Sequence, residues 1–279
     1  IEIRLIKKTV LNIFFFFFLV LKGVVLFAQK PEMHYGDLDI PTRPYAKDPY
    51  VIYFQGKYWM YYSVPGAQFK EWYIGIATSN DLTHWEKKGN IRGQKGTVEE
   101  KGICAPGALV KDGVLHLFYQ TYGNGKLDAI CHASSTNGID FERDATNPIF
   151  RPKISDWSCG RAIDAEVIAY KNQYFLYYAT RDPDYKIQQQ GVAVAPITAN
   201  FDHNSWIEVP NMPMLKPELA WEKNCIEGAS CIQKGKYLYI FYAGAYNNEP
   251  QQIGIARSED GIHWKRLSEE KKIKNGETG

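Results

Sequence analysis

Three acidic residues stand at the head of three closely similar stretches: Asp48 in DPYVIYFQGKYWMYY, Asp164 in DAEVIAYKNQYFLYY and Glu227 in EGASCIQKGKYLYIFY. A fourth copy, APGALVKDGVLHLFY, has Ala105 in that place. One acid at a strand start usually caps a turn or pairs with a cation. Three acids at matching places in a repeat can converge when the repeats are arranged around a common axis, and convergent carboxyl groups are suited to acid–base chemistry. The pattern points to a catalytic centre.

The repeats come roughly every 60 residues, and each continues into a second signature: IGIATSNDLTHW from Ile74, AICHASSTNGIDF from Ala129, GVAVAPITANFDHNSW from Gly191 and IGIARSEDGIHW from Ile253. Each unit therefore holds two apolar, aromatic-rich runs joined at a short turn (QGK, KDG, KNQ, KGK), then a third run and a turn ending near an aromatic. That is three or four antiparallel strands per repeat, read as propeller blades. The run Tyr237 to Tyr242 is nearly continuous in apolar and aromatic residues, as expected of a strand buried on both faces between neighbouring sheets.

At 279 residues the chain can form one large all-β domain, and repeats across most of its length favour one over two. The 19 tyrosines suit strands and sugar-facing surfaces, although core packing should claim most of them. A net charge of +2 with no basic cluster argues against nucleic acid as a partner. Arg4, Lys7 and Lys8 precede an apolar run from Val10 to Phe27, closed by Ala28, so residues 1–28 read as a signal peptide. A periplasmic or secreted protein is expected, with no membrane contact once the signal is cleaved; an uncleaved anchor is the alternative. Residues 29–44 form a lead-in, and 45–279 the propeller, with blades near 45–95, 103–150, 160–210 and 224–270.

Cys104, Cys131, Cys159, Cys225 and Cys231 are odd in number and lack metal spacing, so packed thiols are expected. Cys225 and Cys231 would lie roughly 20 Å apart along an extended segment, too far to pair. No set of residues has convincing metal-ligand spacing; no cofactor is required, and a structural calcium ion stays an open option. Oligomeric state leaves no mark on the sequence.

In order, KDPYVIYFQGKYWMYY, CAPGALVKDGVLHLFY, AIDAEVIAYKNQYFLYY and IEGASCIQKGKYLYIFYAG resemble the inner strands of the first four blades of family 43 glycoside hydrolases and their family 32 relatives. The resemblance covers Tyr45 to Leu267 and implies a five-bladed β-propeller, with four blades evident and a fifth missing or truncated beyond Leu267. It carries the family's three acids onto Asp48, Asp164 and Glu227. Glycosidic cleavage needs one protonated carboxyl group to serve the leaving oxygen and one ionised group to activate water or attack the anomeric carbon. A third acid can raise the donor's pKa and orient it. By resemblance to family 43, Glu227 is the acid, Asp48 the base and Asp164 the pKa modulator of an inverting enzyme acting on plant or algal polysaccharides. By resemblance to family 32, Asp48 is a nucleophile and Asp164 a transition-state stabiliser, with fructan as substrate. Anhydrogalactose release as in family 117, phosphorolysis on the same fold, and a sugar-binding propeller without turnover are the other readings. Carboxyl separations of about 5–5.5 Å accompany retention and about 6.5–9.5 Å inversion.

Ala162-Ile163-Asp164 differs from the Arg-Asp-Pro of family 32, which favours inversion. Arg181-Asp182-Pro183 falls in a loop after the blade's second strand and reads as a decoy for that motif. In an up-and-down blade, the start of the first strand and the loop from second to third strand share one face. That face receives residues 66–72, 121–126, 181–189 and 245–252. Trp72, Tyr73, Tyr122, Arg181, Tyr246 and Asn247 are therefore candidate sugar contacts, with His34, Arg43 and Tyr45 able to close one side. The echoed segments Ser79 to Trp85 and Ser258 to Trp264 read as turns followed by packing aromatics, leaving His84 and His263 structural or solvent-facing.

Overall fold

The computed structural model describes residues 35–39, 45–66, 71–209, 212–246, 249–267 and 273–274, all within one unit beginning at Tyr35. The expected signal segment, His34, Arg43 and Asn247 lie outside the described residues.

Four antiparallel sheets follow one another along the chain. The first holds β1 (Lys47–Phe54), β2 (Lys57–Pro65), β3 (Trp72–Ser79) and β4 (Glu86–Ile91). The second holds β5 (Ile103–Lys111), β6 (Val114–Thr121), β7 (Ile130–Ser135) and β8 (Glu142–Arg143). The third holds β9 (Ile163–Tyr170), β10 (Gln173–Arg181), β11 (Gln188–Pro196) and β12 (Ile207–Glu208). The fourth holds β13 (Ile226–Lys234), β14 (Tyr237–Gly244), β15 (Gln252–Ser258) and β16 (Lys265–Arg266), with β17 (Ile273–Lys274) also on β15. The first strands β1, β5, β9 and β13 neighbour one another in that order, so these are four blades of a propeller. The fifth blade of the expected fold is not among the described residues.

The hairpin turns follow from their residues. Gln55-Gly56, Asp112-Gly113 and Lys171-Asn172 each have positive φ at both positions, as two-residue type I′ turns require, whereas Gly235 alone bends the fourth. A second repeat lies across the middle strands. Tyr62 pairs with Gly75, Tyr178 with Gly191 and Tyr242 with Gly254. A Cβ at any of these glycines would meet the tyrosine ring at 2.3–2.5 Å, so a side chain is excluded there. These three rings, and Tyr119 at the equivalent place in the second blade, deliver their hydroxyls to acids: Tyr62 to Asp37 (2.8 Å), Tyr119 to Glu99 (2.6 Å), Tyr178 to Glu208 (3.4 Å) and Tyr242 to Glu222 (2.8 Å). Cations from the fourth strands complete three of these clusters: Lys87 on Asp37, Arg143 on Glu99 and Arg266 on Glu222. These three acids are at most 2% exposed, and such burial is tolerable for a charge only when it is paired and hydrogen-bonded.

Apolar side chains fill the spaces between blades. Tyr61 and Trp59 pack with Leu115, Leu117 and Tyr119 between the first and second; Phe118 and Ile130 pack with Leu176 and Tyr178 between the second and third; Phe175 and Tyr177 pack with Leu238 between the third and fourth. Tyr61 and Tyr177 also donate across the gap, to the carbonyls of Gly138 and Gly261, both at 2.9 Å.

β14 corrects one sequence expectation. Its burial alternates, with Leu238, Ile240 and Tyr242 inside and Phe241 37% exposed, instead of being buried on both faces. Phe241 aligns with Tyr61, Phe118 and Tyr177, all fully buried against a following blade, and among the described residues no blade follows the fourth. The Ser-Asp segments are turns, as expected. Asp81 Oδ1 accepts from the Thr83 and His84 amides, Asp260 Oδ1 from those of Ile262 and His263, and both histidine side chains are more than 80% exposed. All five cysteines are free thiols.

Candidate active site

Each inner strand begins with a bulge. Pairing breaks after Lys47, Cys104, Ile163 and Glu227, and the next residue bends at positive φ: Asp48 (48°), Ala105 (46°), Asp164 (54°) and Gly228 (63°). The structural counterpart of Asp48 and Asp164 in the fourth blade is therefore Gly228. Glu227 sits one position earlier, at the place Lys47 holds in the first blade, which corrects the sequence alignment. The conformation explains the shift. Aspartate tolerates the left-handed region better than longer side chains do, so the fourth blade puts glycine at the bend and its acid before it.

Neighbouring blades clamp these bends. Ser63 and Gln120 stand opposite Lys47 and Cys104 on their second strands. Ser63 Oγ accepts from the Ala105 amide at 2.8 Å, and Gln120 Oε1 accepts from the Asp164 amide at 2.8 Å. Ser63 Oγ also donates to Asp48 Oδ2 at 2.9 Å, while the Lys47 ammonium lies 3.0 Å from Asp48 Oδ1. The blade without an acid thus still supports one, through its backbone.

Glu227 is held by two amides. Gln188 donates to its Oε2 and Gln251 to its Oε1 at 3.1 Å. Gln188, 1% exposed, opens β11; its own amide N–H bonds to the Asn224 carbonyl, which fixes it beside the start of the fourth blade. Its side-chain oxygen accepts from Arg181 Nε at 3.1 Å and Arg161 Nη1 at 3.4 Å. Two guanidinium donors on the oxygen leave the nitrogen facing the carboxyl group.

Asp164 and Glu227 are both shifted by their surroundings. Burial pushes Asp164 above the usual aspartate range, and the charges of Glu227 and Asp48 add to it against Lys47 and Arg161. Burial also raises Glu227; Lys47 opposes this, Asp48 adds to it, and the Gln188 amide and Arg161 oppose it. Carboxyl groups from three blades thus share one electrostatic site, in which burial and like charge favour the protonated forms of Asp164 and Glu227. Among the described residues no group of three or more His, Cys, Asp or Glu is placed to hold a metal ion.

An aromatic arc lines the same face. Trp72 meets Tyr45 edge-on at 6.4 Å and Tyr122 at 5.3 Å, with the Lys47 ammonium 5.9 Å over its ring. Lys126 lies 5.6 Å over Tyr185, and the Arg181 guanidinium lies 4.3 Å over Tyr185 and 5.2 Å over Tyr246. The structure places Trp72, Tyr122, Arg181 and Tyr246 on the face expected, with Tyr122 38% exposed and Trp72, which opens β3, only 9%. Tyr73 does not. It is 3% exposed, donates to Asp39 Oδ2 at 3.0 Å and carries Arg92 on its ring, because adjacent strand residues point to opposite faces. Asp182 of the decoy motif caps its own loop, accepting from the amides of Lys186 and Ile187. Lys47, Ser63, Gln120, Arg161, Gln188 and Gln251 escaped the sequence reading. Only the polar run Gln188-Gln189-Gln190, opening an otherwise apolar strand, could have signalled one of them.

Four-stranded blades around an axis, with acids from three inner strands sharing one site, define a β-propeller of the kind found among glycoside hydrolases. The sequence profile of glycosyl hydrolases family 43 matches residues 46–265, and the chain belongs to that family. It is 28% identical over 211 residues to a 1,2-β-oligomannan phosphorylase of Thermoanaerobacter sp. (strain X514), covering 71% of this chain and 64% of that protein. A thermostable family-43 glycoside hydrolase superposes with a TM-score of 0.61 at 20% identity, over 80% of this chain and 72% of the other. A family 117 glycoside hydrolase of Zobellia galactanivorans gives 0.64 at 17% identity, over 82% and 70%. These two likenesses concern the fold.

Proposed function

We propose that the chain is an exported glycoside hydrolase that cleaves plant or algal glycans with inversion. Glu227 gives its proton to the glycosidic oxygen as the bond to the anomeric carbon breaks. Asp48 takes a proton from water as the water oxygen bonds to that carbon, and exchange with solvent resets both groups. Asp164 is the pKa modulator: in its ionised form its charge adds to burial in holding the Glu227 proton. The observation carrying this reading is that Asp48 acts on both Glu227 and Asp164, and Glu227 on Asp164, although each comes from a different blade.

The likeness to an oligomannan phosphorylase favours a second reading, in which inorganic phosphate replaces water. One experiment separates the two. Aryl arabinosides, xylosides, galactosides and mannosides, fructans and β-1,2-mannan oligosaccharides are incubated with and without phosphate. The first product anomer is read by proton NMR, with Asp48→Ala and Glu227→Ala as controls. Phosphate-independent release of the inverted sugar, lost in both variants, is the expected result; a sugar phosphate formed only with phosphate present selects the second reading. The retained anomer would remove inversion, and binding without turnover would leave a carbohydrate-binding propeller.

A further inference from the structure

The cations on the two sides of the site are used differently. Lys47 is paired with Asp48 and Arg161 with Asp128. Arg181 has no carboxylate within ion-pair distance among the described residues, and the surrounding acids are engaged elsewhere. Asp182 caps its loop, Asp184 pairs with Lys186, Glu249 accepts from the Tyr246 amide, and Glu227 takes the two glutamine amides. Among the described residues, Nε is the one Arg181 donor in use, on Gln188. Tyr185 and Tyr246 both lie against the guanidinium, and the hydroxyl of Tyr246 is tied to the Lys186 carbonyl at 3.1 Å. A guanidinium set against rings offers its free edge, and that edge matches the two oxygens of a carboxylate. Lys126, bonded to the Pro183 carbonyl at 3.0 Å, adds a second cation at the Tyr185 ring.

We propose that Arg181, supported by Lys126 at the same Tyr185 ring, is a subsite for the carboxylate of an acidic sugar on the leaving-group side of the scissile bond. The side follows from the hydrogen-bond chain Arg181–Gln188–Glu227. That chain puts the guanidinium about one sugar ring from the group that protonates the leaving oxygen, on the assumption that Glu227 is the acid of the proposed reaction. The aromatic surface at Tyr45, Trp72 and Tyr122, beside Lys47 and Asp48, is then left for the sugar on the other side of the bond.

Calorimetric titration at low salt tests this with an oligogalacturonate and its carboxyl-reduced neutral counterpart, which differ only at the charged group. Wild type should bind the acidic form about tenfold tighter, with the preference weakening as salt rises. Arg181→Gln should abolish the preference and Arg181→Lys should keep part of it, both variants retaining the wild-type unfolding midpoint. Equal affinities, no binding of either glycan, or a preference unchanged in Arg181→Gln would overturn the proposal. Arg181-dependent binding of inorganic phosphate, with no preference for the acidic glycan, would overturn it too and assign the cation to phosphate. An Arg181-dependent preference without hydrolysis of any glycoside would leave the subsite standing while the glycosidase reading fails.

Discussion

Ser63 donates to Asp48 Oδ2 at 2.9 Å and accepts from the Ala105 amide at 2.8 Å, so one hydroxyl fixes the first-blade acid and ties it to the second blade. Replacing Ser63 with alanine removes a bond to a charged group and leaves a buried amide unpaired. Ser63→Ala should lower kcat/KM by about 10–100-fold through misplacement of Asp48, the proposed base. It should also cost about 1–3 kcal/mol of stability. Steady-state kinetics and urea unfolding on one preparation check both.

Gln188 works on the other acid. Its amide is among the influences that pull Glu227 down against burial, so its loss lets the carboxyl group rise further. Gln188→Leu should move the alkaline limb of the kcat/KM profile to higher pH and reduce kcat, because the carboxyl group loses an orienting donor. A pH profile with an unmoved limb would show that Gln188 does not act on the acid.

A fourth buried carboxyl group has a different consequence. Glu166, 3% exposed on β9, accepts a hydrogen bond from the Cys231 amide at 2.9 Å, and burial raises its pKa from 4.5 to about 8. Between those values the folded protein holds a proton that the unfolded chain releases. The stabilisation is therefore complete below 4.5 and is lost as pH rises through about 8. The loss should approach about 1.4 kcal/mol per pH unit within that window. Glu166→Gln should remove this contribution, as denaturant unfolding at a series of pH values would reveal.

The outer acids should affect stability and leave chemistry alone. Arg266 donates to both oxygens of Glu222, to Glu218 and to the Lys216 carbonyl, all at 2.6–3.1 Å. Arg266→Met strands a fully buried carboxylate and should cost about 3–5 kcal/mol. Activity per folded molecule should stay within about twofold, since the cluster acts through packing on the fourth blade.

Much of the architecture is legible in the sequence because the blades repeat. Turn residues such as Asp112-Gly113 are read from their backbone requirements, and the inner-strand acids stand out because three copies carry them. The bend at Gly228 was not legible. The repeat aligns Glu227 with Asp48 by residue type, and only the backbone reveals that the bend falls one residue later. Tyr73 illustrates strand parity: beside Trp72 it looks equally available, but β3 begins at Trp72 and turns the next side chain towards Asp39. Ser63, Gln120 and Gln251 carry no motif; their roles come from partners 15 to 44 residues away in sequence. Among the many acids of the chain, the Tyr-acid-cation clusters mark the structural ones, and that distinction needs three dimensions.

The role of Glu227 as proton donor is the centre of this account, and leaving-group dependence tests it most directly. Wild type and Glu227→Gln are compared on a dinitrophenyl glycoside, whose leaving group needs no proton, and on an unactivated glycoside of the same sugar. The account predicts that Glu227→Gln loses at least about 100-fold in kcat/KM on the unactivated substrate and less than about tenfold on the activated one. Equal losses on both, or full activity on the unactivated substrate, would contradict it.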